Sequence, residues 1–216
     1  MTARLPKTAS VATAAEGAKL HAPSAARNTD FLCDLLKEHA PSSGQALEIA
    51  SGTGQHIVAF AKTLPGVTWQ PTEVEEARRA SIDAYRAEAN LPNLRPDRLL
   101  DATRPDWHRA GPPVDLIVLV NLLHLISGTA TQTLLHEALA ALRVGGRFIL
   151  YGPFKRAGAL TSPGDIRFDA DLRAADPTIG YKDDLDIVRR LTTAGAASVQ
   201  RIDMPANNLA FVATKG

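Results

Sequence analysis

The chain has 216 residues, of which 45% are hydrophobic and 22% charged, the composition of an ordinary globular domain. The 24 Lys and Arg residues nearly balance the 23 Asp and Glu residues. The single cysteine excludes an internal disulfide framework. No apolar run reaches the roughly 20 residues that span a bilayer. We therefore expect one cytoplasmic domain with no nucleic-acid, membrane or metal partner.

The first 22 residues are predicted to form a disordered tail, which leaves residues 23–216 as the folded domain. Ala, Thr and basic residues dominate this segment and Glu16 is its one acid, a composition that a transit peptide shares. The segment has no clear apolar face, and Pro6 and Gly17 interrupt any helix. A disordered tail is the favoured interpretation, and a transit peptide stays open.

Helices and strands alternate along the next 130 or so positions. Apolar residues at helical spacing predict a helix over residues 28–38, and a short apolar run predicts a strand over 45–50 that ends in a glycine-rich turn. Further strands are predicted over residues 67–71, 98–100, 114–120 and 147–151, and further helices over 56–63, 74–89 and 131–142. Strands separated by helices predict a doubly wound α/β fold with a mostly parallel sheet.

The pattern changes after Tyr151, where a polar segment rich in Gly, Pro and Asp extends over residues 156–183. We predict that this segment is a loop that closes over a site as a lid. A helix over 185–194 follows, and two strands over 198–203 and 209–214 end the chain. Their connection is too short for a parallel crossover, so we expect an antiparallel pair.

The glycine-rich turn after the first strand is the first candidate for a binding site. In open parallel sheets, ligands bind beyond the carboxyl ends of the strands. Glycines there allow a sharp turn and a close approach of the backbone, and the next helix offers free N–H groups. We therefore predict cofactor contacts from Ala50, Ser51, Gly52 and Gly54, with a purely structural turn as the alternative.

Two features of this turn separate the possible cofactors. A dinucleotide fingerprint needs a third glycine where this chain has Ile57. Glu48, at the end of the strand, would repel a pyrophosphate but attract a cationic amino-acid group. S-adenosylmethionine carries both an ammonium and a sulfonium, so it is the predicted cofactor. A structural Glu48 bonded to a backbone amide stays open.

Acidic residues also follow the second and third strands. Glu73 lies about 20 residues beyond the glycines, where a carboxylate can accept hydrogen bonds from ribose hydroxyls. Asp101, followed by Ala102, can accept a hydrogen bond from an adenine amino group. An acid is also favoured in the first turn of a helix, and Asp commonly begins turns, so each residue has a structural alternative.

Six motifs follow one another along the chain in the order EIASGTGQH, WQPTEVE, LDAT, NLLH, YGPFKR and MPANNL. Together they resemble the methyltransferase-like protein 26 family of class I methyltransferase-like proteins, from Ala25 to the C-terminus. The resemblance implies a seven-stranded Rossmann-like sheet whose last strand is antiparallel and inserted beside the fifth. It also supports the cofactor residues above and adds Arg27 and Asn28 as part of a cap over the site.

Methyl transfer depends mainly on alignment of the acceptor, with a base added for hydroxyl acceptors. Asn121 and His124 follow the very apolar fourth strand, and Tyr151 ends the fifth. We predict that Asn121 contacts the cofactor, that His124 is the base and that Tyr151 positions the acceptor. A structural role for His124 stays open.

The acceptor itself is predicted to be a small molecule with an anionic group. Lys155 follows the fifth strand and can bind an anion, while Asn207 and Asn208 in the terminal connection complete the predicted substrate residues. A solvated Lys155 is the alternative. Two other functions also stay open: a non-catalytic S-adenosylmethionine- or nucleotide-binding protein that acts through partners, and an NAD-dependent oxidoreductase.

Overall fold

The apolar segments of the sequence build a central sheet. The computed structural model describes residues 5–6 and 9–216, and its strands are β1 (Thr13–Ala14), β2 (Leu20–His21), β3 (Gly44–Ile49), β4 (Val67–Glu73), β5 (Arg98–Leu99), β6 (Val114–Val120), β7 (Leu142–Lys155), β8 (Lys182–Asp183), β9 (Ala196–Asp203) and β10 (Asn208–Lys215). The helices are α1 (Pro23–His39), α2 (Gln55–Thr63), α3 (Glu76–Ala89), α4 (Gly128–Ala140), α5 (Pro163–Ala175) and α6 (Asp184–Thr193). Short 3₁₀ helices cover Trp107–Ala110 and Leu123–Leu125.

The main sheet runs in the order β5-β4-β3-β6-β7-β10-β9, and β8 pairs with the end of β7. The strands from β5 to β7 are parallel, whereas β10 is antiparallel to both β7 and β9. The predicted doubly wound sheet, with its last strand antiparallel and inserted beside the fifth, is therefore confirmed. The chain order reverses between β3 and β6, which is where open sheets of this type bind ligands.

Alternate residues of the central strands enter two separate cores. In β6, Leu116 and Val118 face α1 and α2, while Ile117 and Leu119 face α4 and α6. All four side chains are buried, as expected for a parallel sheet covered by helices on both faces. This packing fixes the carboxyl ends of the strands and thereby the residues that follow them.

The polar segment after β7 contains a helix where the sequence predicted a loop over residues 156–183. Helix α5 begins at Pro163, and Ser162 is its N-cap, whose hydroxyl accepts a hydrogen bond from the Asp165 amide at 3.1 Å. Ser before Pro is a typical start of a helix, although the Gly and Asp around it obscured the signal. Leu172 is fully buried and holds α5 against the rest of the protein.

Within the segment that the sequence predicted as a disordered tail, β1 and β2 pair as an antiparallel hairpin. Residues 1–4 and 7–8 of that segment lie outside the described residues. The hairpin is held against α3, because the Leu20 amide donates to the Ser81 hydroxyl at 2.8 Å and Lys19 pairs with Glu88. These contacts depend on residues about 60 positions or more further along the chain, so no local sequence pattern predicts them.

Candidate functional site

A cleft of about 1910 Å³ lies at the carboxyl ends of β3, β4, β6 and β7. All but three of the predicted site residues line it, namely Arg27, Asn28, Glu48, Ala50, Ser51, Gly52, Glu73, Asp101, Ala102, Asn121, His124, Tyr151 and Asn208. We call the part around Glu48, Gly52, Glu73 and Asp101 the glycine-turn end. The part around His124, Leu125, Phe168, Ile179 and Tyr181 is called the α5 end.

The two predicted glycines of the turn have different roles. Both have positive φ angles, 59° at Gly52 and 92° at Gly54. A Cβ on Gly54 would lie 2.8 Å from the Ile82 Cα, so Gly54 allows α2 to start close against α3 and does not line the cleft. A Cβ on Gly52 would meet the end of the Arg78 side chain at 3.4 Å and the Ala50 carbonyl oxygen at 4.0 Å, and Gly52 faces the cleft.

Glu48 is buried at the end of β3, and its Oε2 atom has no hydrogen-bond partner. Burial raises the pKa of this carboxyl group to about 8; the Ser51 hydroxyl opposes the increase, and the negative charge of Glu73 adds to it. A buried polar atom without a partner is uncommon in native proteins and requires an explanation. A cationic group bound in the cleft would supply the missing partner and stabilise the ionised carboxylate.

Glu73 and Asp101 follow the neighbouring strands and complete the glycine-turn end. Glu73 accepts hydrogen bonds from the Gly52 amide at 3.0 Å and the Val74 amide at 2.7 Å, so the carboxylate has a fixed orientation. Asp101 is exposed and accepts hydrogen bonds from the amide and hydroxyl of Thr103 at 3.0 and 2.6 Å. Each carboxylate thus has a local structural role and still has oxygen lone pairs for a ligand.

Asn28 connects α1 to the floor of the cleft. Its Oδ1 atom lies 2.7 Å from the His56 Nε2 atom on α2, and Asn28 and Tyr151 both line the cleft. Burial lowers the pKa of His56 to about 4 and raises the pKa of Tyr151, so both side chains are neutral near pH 7. His56 was not among the predicted site residues, although it is the last residue of the EIASGTGQH motif.

His124 stands in the wall of the cleft with 7% of its surface exposed. Its Nδ1 atom is completely buried and has no hydrogen-bond partner. Burial, assisted by the nearby charge of Lys182, lowers the pKa of His124 to about 3. A neutral imidazole can donate or accept a hydrogen bond, but holding a proton as the predicted base would require charging a buried ring.

Gly54, Lys155 and Asn207 are the predicted site residues that do not line the cleft. The sequence predicted that the fifth strand ends at Tyr151, but β7 continues to Lys155, where it pairs with Asp183 of β8. Four further strand residues carry Lys155 about 13 Å beyond Tyr151. Asn207 instead donates to the Asp165 carboxylate at 3.3 Å and ties the terminal connection to α5.

Residues of α5 and of the N-terminal segment also line the cleft, and no sequence motif indicated them. Phe168, Ile179 and Tyr181 line one end, where Ala9 packs in the same apolar cluster, and Ser10 lines the cleft as well. Ser10 is held from α3, because the Arg78 Nη2 atom donates to its carbonyl oxygen at 3.0 Å and to its hydroxyl at 2.8 Å. None of these residues belongs to a recognisable binding motif.

Within residues 5–6 and 9–216, none of the helices is long and apolar enough to cross a membrane. The same residues include no group of three or more His, Cys, Asp or Glu side chains that could hold a metal ion.

A protein-family model described as "Protein of unknown function (DUF938)" matches residues 19–215. Solved structures with a similar fold include an O-methyltransferase family protein from Burkholderia thailandensis, with a TM-score of 0.76 and 13% identity, which aligns with 89% of this chain and 57% of its own. A putative O-methyltransferase from Nostoc punctiforme has a TM-score of 0.76 and 21% identity over the same shares of the two chains.

Human N-acetylserotonin methyltransferase in complex with S-adenosylmethionine is similar as well, with a TM-score of 0.73 and 14% identity. The match covers 89% of this chain and 53% of the human chain. The chain therefore spans just over half the length of these three proteins. At such low identity the likeness establishes the fold, which is that of class I methyltransferases.

Proposed function

The chain belongs to the DUF938 family, and we propose that it is an S-adenosylmethionine-dependent methyltransferase that acts on a small-molecule acceptor. The observation that carries the proposal is the buried Glu48 carboxylate with its unpartnered Oε2 atom, in the same cleft as Glu73 and Asp101. The O-methyltransferases that share its fold support the same reaction class. Membership of the more specific methyltransferase-like protein 26 family stays a prediction.

The residues at the glycine-turn end fit this cofactor. Glu48 would bind the ammonium group, Glu73 the ribose hydroxyls and Asp101 the adenine amino group, while Arg27 on α1 would bind the carboxylate. Ala50, Ser51 and Gly52 would contact the cofactor through their backbone, with Ala102 and Asn121 on neighbouring strand ends. When bound there, S-adenosylmethionine would supply an electrophilic methyl group on its sulfonium sulfur, which would keep the electron pair of the methyl–sulfur bond.

The chain's own contribution to the reaction is mainly alignment. Tyr151 lines the cleft at the end of the predicted fifth strand, and its hydroxyl is suited to hold an acceptor by a hydrogen bond. His124 is poorly suited to keep the proton that a hydroxyl acceptor loses, so we expect that proton to reach water. The anionic acceptor predicted from Lys155 loses its support, because Lys155 does not line the cleft.

We also propose a cytoplasmic location, since Cys33 is a free thiol.

Isothermal titration tests the cofactor half of this proposal. We expect S-adenosylmethionine and S-adenosylhomocysteine to bind and NAD not to bind. NAD binding without S-adenosylhomocysteine binding would favour an oxidoreductase and contradict the proposal. Transfer of labelled methyl groups to a panel of small acceptors tests the other half, and cofactor binding without transfer to any acceptor would favour a non-catalytic binding protein.

A further inference from the structure

The α5 end of the cleft differs in chemistry from the glycine-turn end. Ile179 and Tyr181 belong to a small apolar cluster with Ala9 and Leu172, against which Leu125 and Phe168 pack. The cluster therefore combines the underside of α5, the segment that follows it and the N-terminal segment. An apolar surface of this kind, inside a cleft and beyond the predicted cofactor residues, is suited to an apolar part of a ligand.

Three rings at the α5 end contact one another in tilted or edge-to-face arrangements. The ring centroids lie 5.7 Å apart for His124 and Phe168, 6.2 Å for His124 and Tyr181, and 6.1 Å for Phe168 and Tyr181. Their planes are inclined by 59° to 75°. Aromatic clusters of this geometry can accommodate a further ring, since edges and faces complement one another.

His124 brings an unsatisfied polar group to this otherwise apolar end. It is more than nine-tenths buried, it lines the cleft, and its Nδ1 atom has no hydrogen-bond partner. The nearby Lys182 ammonium does not hydrogen-bond to this nitrogen and donates instead to the carbonyl oxygens of Ile126 and Gly180 at 2.7 and 2.9 Å. A neutral imidazole that lines the cleft has an acceptor nitrogen to which a ligand hydroxyl or amino group can donate.

The charges around the cleft argue against an anionic ligand at this end. Among the described lining residues, the Lys and Arg side chains are Arg27, Arg78 and Arg104, and none of them belongs to α5 or to residues 176–181. Asp165 and Asp176 do line the cleft there. Two lining carboxylates with no Lys or Arg side chain lining the same end would repel an anion and tolerate a neutral molecule.

From these contacts we infer that the α5 end binds an uncharged aromatic acceptor. Its hydroxyl or amino group donates a hydrogen bond to His124, and its ring packs against Phe168 and Tyr181. This inference rests on the proposed function, because it takes the glycine-turn end as the place of the cofactor. His124 is then a specificity-determining residue, since the analogue without the donor would leave the imidazole unsatisfied.

The test is binding to the full chain saturated with S-adenosylhomocysteine, measured by titration with four probes of matched shape: 4-methylphenol, 4-methylaniline, toluene and 4-methylbenzoate. We expect 4-methylphenol or 4-methylaniline to bind at least about tenfold tighter than toluene, and 4-methylbenzoate to bind weakest. The tighter of the two donors identifies the donor group that the site prefers. Preference for 4-methylbenzoate, or equal binding of toluene, would overturn the inference.

Two variants locate the probe. In His124→Phe, which keeps a ring and removes the nitrogens, the tenfold preference over toluene should disappear, while Phe168→Ala should weaken all uncharged probes. Both variants should bind S-adenosylhomocysteine like the wild type. An unchanged preference in His124→Phe overturns the inference alone, whereas failure of the wild type to bind S-adenosylhomocysteine overturns the proposed function together with it. The probe ranking in the wild type decides the question even if a variant does not fold.

Discussion

The two ends of the cleft are held in place by different physical means. At the glycine-turn end, polar groups follow consecutive parallel strands, and backbone amides orient a carboxylate such as that of Glu73. At the α5 end, aromatic side chains from distant segments pack against one another, and His124 has a buried nitrogen with no hydrogen-bond partner. The first end follows from the sheet and suits a cofactor common to the fold, whereas the second depends on the packing particular to this chain.

Substitution of the two glycines separates the roles within the glycine-turn end and should have the largest effects. We expect Gly54→Val to destabilise the protein by roughly 3 kcal/mol or more, because a side chain there would meet the Ile82 backbone. Gly52→Val should leave the thermal unfolding temperature closer to the wild type and abolish S-adenosylhomocysteine binding in titration. Tight binding by Gly52→Val would contradict the proposed close approach of the cofactor.

Glu48→Gln tests the buried carboxylate without changing its shape. We expect this variant to lose about 2 kcal/mol of S-adenosylhomocysteine binding free energy, because an amide cannot pair with an ammonium as a carboxylate does. Titration near pH 7.5 measures the loss, and adenosine, which lacks the amino-acid group, is the matched control ligand. A similar loss for adenosine would show that the substitution disturbs the turn and not an ammonium site.

The same variant gives a pH dependence with a definite sign. The pKa of Glu48 rises from its ordinary value of 4.5 to about 8 in the folded protein, so the folded state holds a proton that the unfolded state releases between these values. The free energy of unfolding of the wild type should therefore decrease, relative to Glu48→Gln, as the pH rises from about 4.5 to 8. Thermal unfolding without ligand across this range measures it, and a constant difference would contradict the buried, unpaired state.

Loss of a single ligand contact should have an intermediate effect. We expect Glu73→Ala and Asp101→Ala to weaken S-adenosylhomocysteine binding by roughly 1 to 3 kcal/mol each. Glu73→Ala should also lower stability, because the Gly52 and Val74 amides lose their acceptor, whereas exposed Asp101 should affect stability little. Wild-type affinity in both variants would mean that the cofactor does not bind at the glycine-turn end.

The smallest expected effect concerns the N-terminal segment that covers the cleft. Arg78→Ala removes the hydrogen bonds to Ser10, and we expect S-adenosylhomocysteine to dissociate several-fold faster, a loss of about 1 kcal/mol. Arg86→Ala is the matched control, because Arg86 lies on the same helix and pairs with Asp83. Equal dissociation rates in the two variants would contradict a covering role for the segment.

Much of the sheet could be predicted from the sequence, because each strand carries its own signal. The run predicted over residues 114–120 matches β6 residue for residue, since a strand buried on both faces has a nearly continuous apolar sequence, here interrupted only by the partly exposed Asp115. The acids of the glycine-turn end were also identifiable, because they follow strands whose ends meet at one edge of a parallel sheet. Residue type and spacing along the chain are enough for such a prediction.

The α5 end was decided by the tertiary structure. Its rings come from His124, Phe168 and Tyr181. The N-terminal segment that covers the cleft is held by the hydrogen bond that Arg78 donates to Ser10, a residue 68 positions away in the chain. The extension of β7 that carries Lys155 away from the cleft depends on pairing with β8. Local patterns encode helical period, strand alternation and caps, but which distant side chains become neighbours, and which polar atoms remain unpaired, depends on how the elements pack.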